Sequence, residues 1–302
     1  MFIRRLPKFE YHTPSTVREA IAIAGKHNGD AKFIAGGTDL LLAMKKREIM
    51  PAHLVSLNGI GELRYLTVLA NGKPSEEAGG LKIGALTTLA QLLASDAVKK
   101  DYAPLWDAVD VMASAQIRSL ATIGGNLCSA VPSADTAPPL LAMDASIEIV
   151  NHSGKRTIPL NEFFNGPRQT TLGHKEILTH ILIPKMDSSS GGCYLKLMRR
   201  NAMDLALVAV AVCLKLDETK KVCKEARIAL GAVAPTPIRV PEAEAMLAGK
   251  KIDEMQITEA AKIAGMQCHP ISDIRATLEY RCSMVEVLTK RAIERTLQRI
   301  QA

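Results

Sequence analysis

Two short glycine-rich stretches, Ala35-Gly36-Gly37-Thr38-Asp39-Leu40 and Ala121-Thr122-Ile123-Gly124-Gly125-Asn126, each end an apolar run and lead into a polar turn. Glycine has no Cβ, so it tolerates positive φ and lets backbone N–H groups come within hydrogen-bonding range of a bulky anion. One such stretch is usually an ordinary turn. Two of them suit a pyrophosphate. In the first, the N–H groups of Gly36, Gly37 and Thr38 and the Thr38 hydroxyl are the candidate donors; Asp39 is either a helix cap or an acceptor for a ribose or backbone donor. In the second, Thr122, Gly124, Gly125, Asn126 and the nearby Ser129 are candidate donors to the oxygens of such an anion, and Asp135 is a candidate acceptor. Cys128, inside this stretch, reads as a packed thiol, since free cysteine is commonly buried.

Other chemistries find no matching pattern. The seven histidines, at 12, 27, 53, 152, 174, 180 and 269, show no metal-ligand spacing and read as surface or structural residues. The six cysteines include no C-x-x-C pair, which argues against zinc or an iron-sulfur cluster in this chain. No G-x-S-x-G, Walker A or G-x-G-x-x-G sequence is present, so neither a hydrolase elbow nor a Rossmann fingerprint is indicated.

The elements that must position these residues follow from pattern. Ser15 is a candidate N-cap for an amphipathic helix over Val17 to Lys26, stopped by Asn28-Gly29. A strand over Lys32 to Ala35 delivers the first glycine stretch, Thr38 or Asp39 caps a helix from Leu40 to Arg47, and His53 to Leu57 is a further strand. The first fifty-odd residues thus form a small α/β unit with a parallel sheet. Leu66 to Ala70 and Leu81 to Ala85 read as strands, Thr87 and Thr88 open a helix through Leu93, and Tyr102 to Ala113 forms another, which the second glycine stretch follows as a loop. Ser146 to Val150 and Lys155 to Ile158 flank a hairpin turn, and Glu176 to Ile183 adds a strand. The segment Asp187 to Gly192 reads as a linker and sets a domain boundary near residue 187. Beyond it come two long strands, Leu205 to Asp217 and Lys224 to Val233, and three helices, Pro241 to Ala248, Ile257 to Met266 and Leu278 to Ile300. The last presents Tyr280, Met284, Val287, Leu288 and Ile293 on one apolar face.

A chain of 302 residues has room for two domains, and 47% hydrophobic with 23% charged residues excludes disorder. No apolar run approaches the ~18 to 20 residues that cross a bilayer, and Met1 to Tyr11 carries basic residues without an apolar signal core, so the chain reads as cytoplasmic with no membrane role. A net charge of +7 fits an anionic cofactor or an acidic partner surface. The five Phe, five Tyr and one Trp do not interleave with Lys and Arg, which argues against nucleic acid.

Taken together, the two glycine stretches resemble the flavin-binding sequences of the FAD-binding (medium) subunit of the molybdenum hydroxylases, the family of carbon monoxide dehydrogenase flavoproteins and the flavin domain of xanthine dehydrogenase. Both of that family's patterns, AGGT(D/S)L and (S/T)(I/L)GGN, are intact. The run Ile228 to Arg239, with Asp273-Ile274-Arg275 and Glu279-Tyr280-Arg281, resembles its C-terminal flavoprotein domain. The resemblance covers nearly the whole chain. It implies an α+β fold: a PCMH-type FAD-binding domain over 1–186, made of two α/β subdomains (about 1–58 and 59–186), then a C-terminal domain over 187–302 with a small antiparallel sheet and helices.

The resemblance assigns FAD to Ala35, Gly36, Gly37, Thr38, Asp39, Leu40, Thr122, Ile123, Gly124, Gly125, Asn126 and Ser129. Asp135 is implied as the ribityl-binding aspartate, Leu178 as the leucine packing on one ring face and Lys196 as a cation near the pyrimidine end, with Tyr194 as a cover or gate. Met112 stands where animal xanthine dehydrogenase-like members carry an aromatic that stacks on the flavin. The implied function is electron transfer from [2Fe-2S] clusters of a small partner subunit, fed by a large molybdopterin subunit, through FAD to NAD+ or another acceptor. The implied assembly is a hetero-oligomer, for which a dimer of heterotrimers is one arrangement. The alternatives are a self-contained PCMH-type flavin oxidoreductase and a non-catalytic scaffold with a vestigial flavin site.

Overall fold

The computed structural model describes residues 5–69 and 79–301; Ala70, expected to end a strand, lies outside the described residues. The chain is α+β. In the first unit β1 (Glu10–His12), α1 (Val17–Lys26), β2 (Ala31–Ile34), α2 (Leu40–Lys46) and β3 (His53–Ser56) alternate, and the strands form a parallel sheet in the order β1-β3-β2. Ala20, Ile21 and Ala24 of α1 are buried under it with Val55 and Leu57. The N-cap of α1 is Thr16, not Ser15; the Glu19 carboxylate accepts from both the Ser15 N–H and its hydroxyl, while Thr16 Oγ1 accepts from the Glu19 N–H. Serine is drawn outward because Glu19 sits one turn along the helix.

The second unit is an antiparallel sheet of β4 (Leu66–Leu69), β5 (Gly80–Gly84), β6 (Ser146–Asn151), β7 (Gly154–Pro159) and β10 (Ile177–Pro184), in the order β4-β5-β10-β6-β7. A two-stranded ribbon, β8 (Phe164–Gly166) and β9 (Gln169–Thr170), precedes β10. Between β5 and β6 come six short helices: α3 (Leu89–Leu93), α4 (Asp96–Asp101), α5 (Ala103–Asp110), α6 (Ala115–Leu120), α7 (Ile123–Ser129) and α8 (Ala137–Ala142). The second glycine stretch, expected as a loop, is therefore helical. Thr122 caps α7 through Oγ1, which accepts from the Gly125 N–H, and tertiary bonds to the first turn outweigh the poor helix propensity of glycine.

The C-terminal unit is a second antiparallel sheet, β11 (Ser190–Leu197), β12 (Val208–Leu216), β13 (Cys223–Gly231) and β14 (Ile238–Arg239), covered by α9 (Pro241–Leu247), α10 (Glu254–Gln267) and α11 (Leu278–Gln301). The end of the expected linker is strand. Gly192 lies where a Cβ would meet Pro104 Cγ at 2.6 Å and the Val212 carbonyl oxygen at 2.6 Å, so this glycine lets β11 pass closely under α5. The buried face of α11 is Arg281, Val285, Leu288, Thr289, Ala292, Ile293, Thr296 and Ile300; Tyr280, expected in the core, is half exposed. Arg281 takes the interior position because it donates to the Leu207 carbonyl at 2.8 Å and to Asp273 at 3.0 Å. Among the described residues no helix is long and apolar enough to cross a membrane.

The two sheets are joined by a charged tie. Asp107 of α5 receives both guanidinium nitrogens of Arg299 in α11, at 2.7 and 2.9 Å, and the backbone N–H of Tyr194 in β11 at 3.1 Å. Arg299 also donates to the Gly192 carbonyl at 2.8 Å. Asp107→Ala leaves a mostly desolvated guanidinium without its partner and is expected to lower unfolding free energy by about 3 kcal/mol, read from urea denaturation. A second expectation concerns acid. The Arg275 and Arg281 guanidinium groups hold the Asp273 carboxyl well below the usual carboxylate range. A depressed folded pKa contributes stability that is present above the unfolded value of about 4 and is lost as pH falls below it. Asp273→Asn should flatten that acid limb in a series of melts.

Candidate functional site

The first glycine stretch leaves β2 at Ile34 and turns into α2. Gly37 has φ +70, and none of the N–H groups of Gly36, Gly37, Thr38 and Asp39 donates to an acceptor among the described residues. Four consecutive open donors at a helix start make a place for an anion. Ala35 is fixed by its carbonyl, which accepts from Asn58 Nδ2 at 3.0 Å, and Leu40 packs with the Ile34, Met44 and Leu54 cluster. Asp39 occupies the N-cap position of α2 but makes no side-chain capping bond. Its carboxylate instead lies 2.7 Å from Ser129 Oγ, across from the second stretch.

The two stretches are in direct contact. A Cβ on Gly36 would fall on the Leu120 carbonyl oxygen, so only glycine lets this backbone lie against the α6–α7 junction. On the far side of α7, a Cβ on Gly124 would stand 2.7 Å from both Ala85 Cβ and the Ala85 carbonyl oxygen. Three backbone donors of the second stretch are already used. Ile123 N–H donates to Thr87 O at 3.0 Å, Gly124 N–H to Ala85 O at 3.0 Å, and Gly125 N–H to Thr122 Oγ1 at 3.1 Å. The N–H groups of Gly124 and Gly125, expected as anion donors, are engaged within the chain, and Gly124 also packs closely on Ala85. Asn126 keeps its side-chain amide nitrogen available, because only its Oδ1 is engaged, by Thr136 Oγ1 at 2.6 Å. Cys128 is exposed as a residue, while desolvation pushes its thiol up to about 12.

Asp135 follows this turn and is buried, as are Tyr194 and the side chain of Lys196. Tyr194 Oη donates to Asp135 Oδ1 at 2.6 Å, and Lys196 Nζ to Asp135 Oδ2 at 2.9 Å. Burial pushes the Asp135 carboxyl up, with Lys196 and the Tyr194 hydroxyl pulling it back; burial and the neighbouring Asp135 charge hold the Tyr194 phenol well above its ordinary value, so it stays protonated and donates. Lys196 is thus an interior cation rather than a surface strand lysine. Around it the two halves of the chain meet: the Ala232 N–H donates to the Pro132 carbonyl at 2.8 Å, and a Cβ on Gly231 would stand 2.7 Å from Pro138 Cγ.

Leu178 is buried in β10 in one apolar cluster with Ile123, Leu127 and Tyr194. The adjacent Thr179 carbonyl accepts from Ala85 N–H, whose own carbonyl holds Gly124, so Leu178 is tied to α7 through two hydrogen bonds. Met112 is half-buried against the same cluster. Sequence reasoning did not reach Asp107, Arg299 or Thr136. The one visible signal was an aspartate at an interior position of the mainly apolar helix Ala103–Asp110.

The site therefore offers open backbone donors, a bridged pair of turns, and a buried carboxylate, ammonium and phenol beside apolar surface. That is a donor set suited to a flavin dinucleotide, whose pyrophosphate, polyol and ring need each in turn. The chain is 34% identical over 287 residues to the carbon monoxide dehydrogenase medium chain of Hydrogenophaga pseudoflava, covering 95% of this chain and 96% of the relative. It is 34% identical to the putative xanthine dehydrogenase FAD-binding subunit of Escherichia coli, covering 94% of each. Among solved structures it resembles the H. pseudoflava carbon monoxide dehydrogenase that lacks the Mo-pyranopterin moiety of the molybdenum cofactor, with a TM-score of 0.91 at 34% identity over 98% of this chain and 99% of that one. It also resembles quinoline 2-oxidoreductase from Pseudomonas putida 86, with a TM-score of 0.89 at 29% identity over 99% and 100%. Residues 7–186 match the FAD binding domain in molybdopterin dehydrogenase and residues 193–296 the CO dehydrogenase flavoprotein C-terminal domain, so the chain belongs to this family of molybdopterin dehydrogenase flavoproteins.

Proposed function

We propose that this chain is the FAD-carrying electron-transfer subunit of a heteromeric molybdenum hydroxylase. In this reading it takes electrons from [2Fe-2S] clusters of a small partner subunit, supplied by a large molybdopterin subunit, and passes them to NAD+ or another acceptor. The observation that carries the reading is the run of open N–H donors at Gly36 to Asp39, set against α7 by the Gly36 contact and beside a buried Asp135–Lys196 pair. Medium and FAD-binding subunits of named oxidoreductases match along almost their whole length, which supports the same division of labour here. Six free thiols suit a reducing compartment, and we place the complex in the cytoplasm.

FAD, when bound, supplies the junction between one-electron and two-electron carriers. The N–H groups of Gly36, Gly37 and Thr38 would hold the pyrophosphate, and the Ser129–Asp39 bond links the two turns. Asp135 has lone pairs left beyond those used by Tyr194 and Lys196, and these accept from ribityl hydroxyls. The buried Lys196 ammonium would give a bound ring a fixed positive charge that favours its anionic reduced form. Leu178 gives the ring an apolar wall.

Purified chain, or its native assembly, should release close to one equivalent of FAD on acid treatment, and the assembly should contain iron-sulfur and molybdopterin subunits. Flavin bleaching by an organic substrate added to the isolated chain would instead favour a self-contained oxidoreductase. Gly36→Ala should weaken FAD binding at least about tenfold, or 1.4 kcal/mol, while Gly25→Ala, where a Cβ meets nothing within 4 Å, leaves it unchanged in the same fluorescence titration. Lys196→Met strands a buried carboxylate and should cost about 3 to 5 kcal/mol of stability. Adding Asp135→Asn to that variant should recover part of the loss, a coupling read from a double-mutant cycle.

A further inference from the structure

The first unit carries a second constellation. His12 ends β1, His27 caps the C-terminus of α1, and His53 begins β3. Their ring nitrogens lie within 4.8 Å of one another, and all three side chains are partly accessible. His53 pairs with Ala31 at the start of β2, whereas the glycine motif leaves the other end of that strand, three residues and about 10 Å away. The cluster is therefore separate from the flavin site.

The backbone holds it in place. The Asp30 N–H donates to the His27 carbonyl at 2.8 Å, and the Asp30 carbonyl accepts from the His53 N–H at 3.3 Å, so the helix end and the strand start share one residue as a clamp. Parallel register sets Glu10 opposite His53, and Glu10 and His12, two apart on β1, share a face. His12 Nε2 and His53 Nδ1 face each other at 3.2 Å, Glu10 Oε2 lies 3.4 Å from His53 Nδ1, and the His27 ring stacks on His53 with centroids 3.5 Å apart. Two nitrogens about 2.0 to 2.1 Å from a tetrahedral ion lie about 3.3 Å apart, close to the observed separation of the first pair.

We propose that His12, His27 and His53 form a site for one divalent transition-metal ion of the zinc, nickel or copper class, with the Glu10 carboxylate or water completing the shell. Imidazole suits these ions, whereas magnesium and calcium prefer oxygen. His27 reaches the ion by turning its ring out of the stack on His53. Bound metal clips the end of α1 to β1 and β3.

The test uses untagged full-length chain, stripped with a chelator and dialysed, then titrated with Zn2+ and separately with Ni2+ by calorimetry. One equivalent should bind with Kd of about 1 µM or tighter and should raise Tm. His53→Ala and His27→Gln should each weaken binding at least about tenfold, while His152→Ala leaves it unchanged. His27 caps a helix end outside the core, so its variant keeps the fold, checked by circular dichroism and by an unaltered FAD content. Absence of saturable binding tighter than millimolar, or binding retained by a variant lacking all three imidazoles, would overturn the site.

Discussion

A carboxylate and an ammonium can be kept in the interior of a protein only together, and the Asp135–Lys196 pair imposes that condition across the two halves of this chain. Asp135 comes from the turn after α7 and Lys196 from β11, so neither half can bury its charge alone. The Tyr194 phenol takes the other carboxylate oxygen, and the Asp107–Arg299 tie holds the backbone of the same tyrosine. The docking of the sheets and the burial of the phenol both follow from satisfying one charge.

The contact between the two glycine turns rests on sterics instead. Gly36 lies against the Leu120 carbonyl and Gly124 against Ala85, so two turns from different subdomains come together at backbone-to-backbone distance. The four consecutive backbone donors that remain open belong to the first turn, while the Ile123 and Gly124 N–H groups of the second hold α7 against Thr87 and Ala85. The second turn thus braces the first.

Much of this was legible in the residues. The alternation of strand and helix through Ser56, the hairpin after Ser146 and the long last helix follow from local pattern, and the glycine motifs were distinctive because their chemistry is compressed into a few adjacent positions. What escaped depends on distant partners. The helix at Ile123 to Ser129 looks like a loop until Ala85 and Thr87 supply acceptors for its first turn. Gly192 looks like linker until Pro104 and Val212 occupy the space beside it. Arg281 displaces Tyr280 from the core because Asp273 and the Leu207 carbonyl are there to receive it. The histidines at 12, 27 and 53 read as scattered surface residues, and parallel pairing of β1 with β3 brings them to one place. Asp135 and Lys196 could be recognised singly through family resemblance, but no local pattern announces that they pair.

The tie from Arg299 to Asp107 spans 192 positions of the sequence. The glycine turns belong to the first half of the chain, yet the aspartate that holds the Tyr194 N–H takes its cation from near the far end of α11. A chain cut short of that helix would lack this cation, and Asp107 would be left to hold β11 alone. The frame around Asp135 is thus closed by residues from opposite halves of the chain, although both glycine motifs lie in the first.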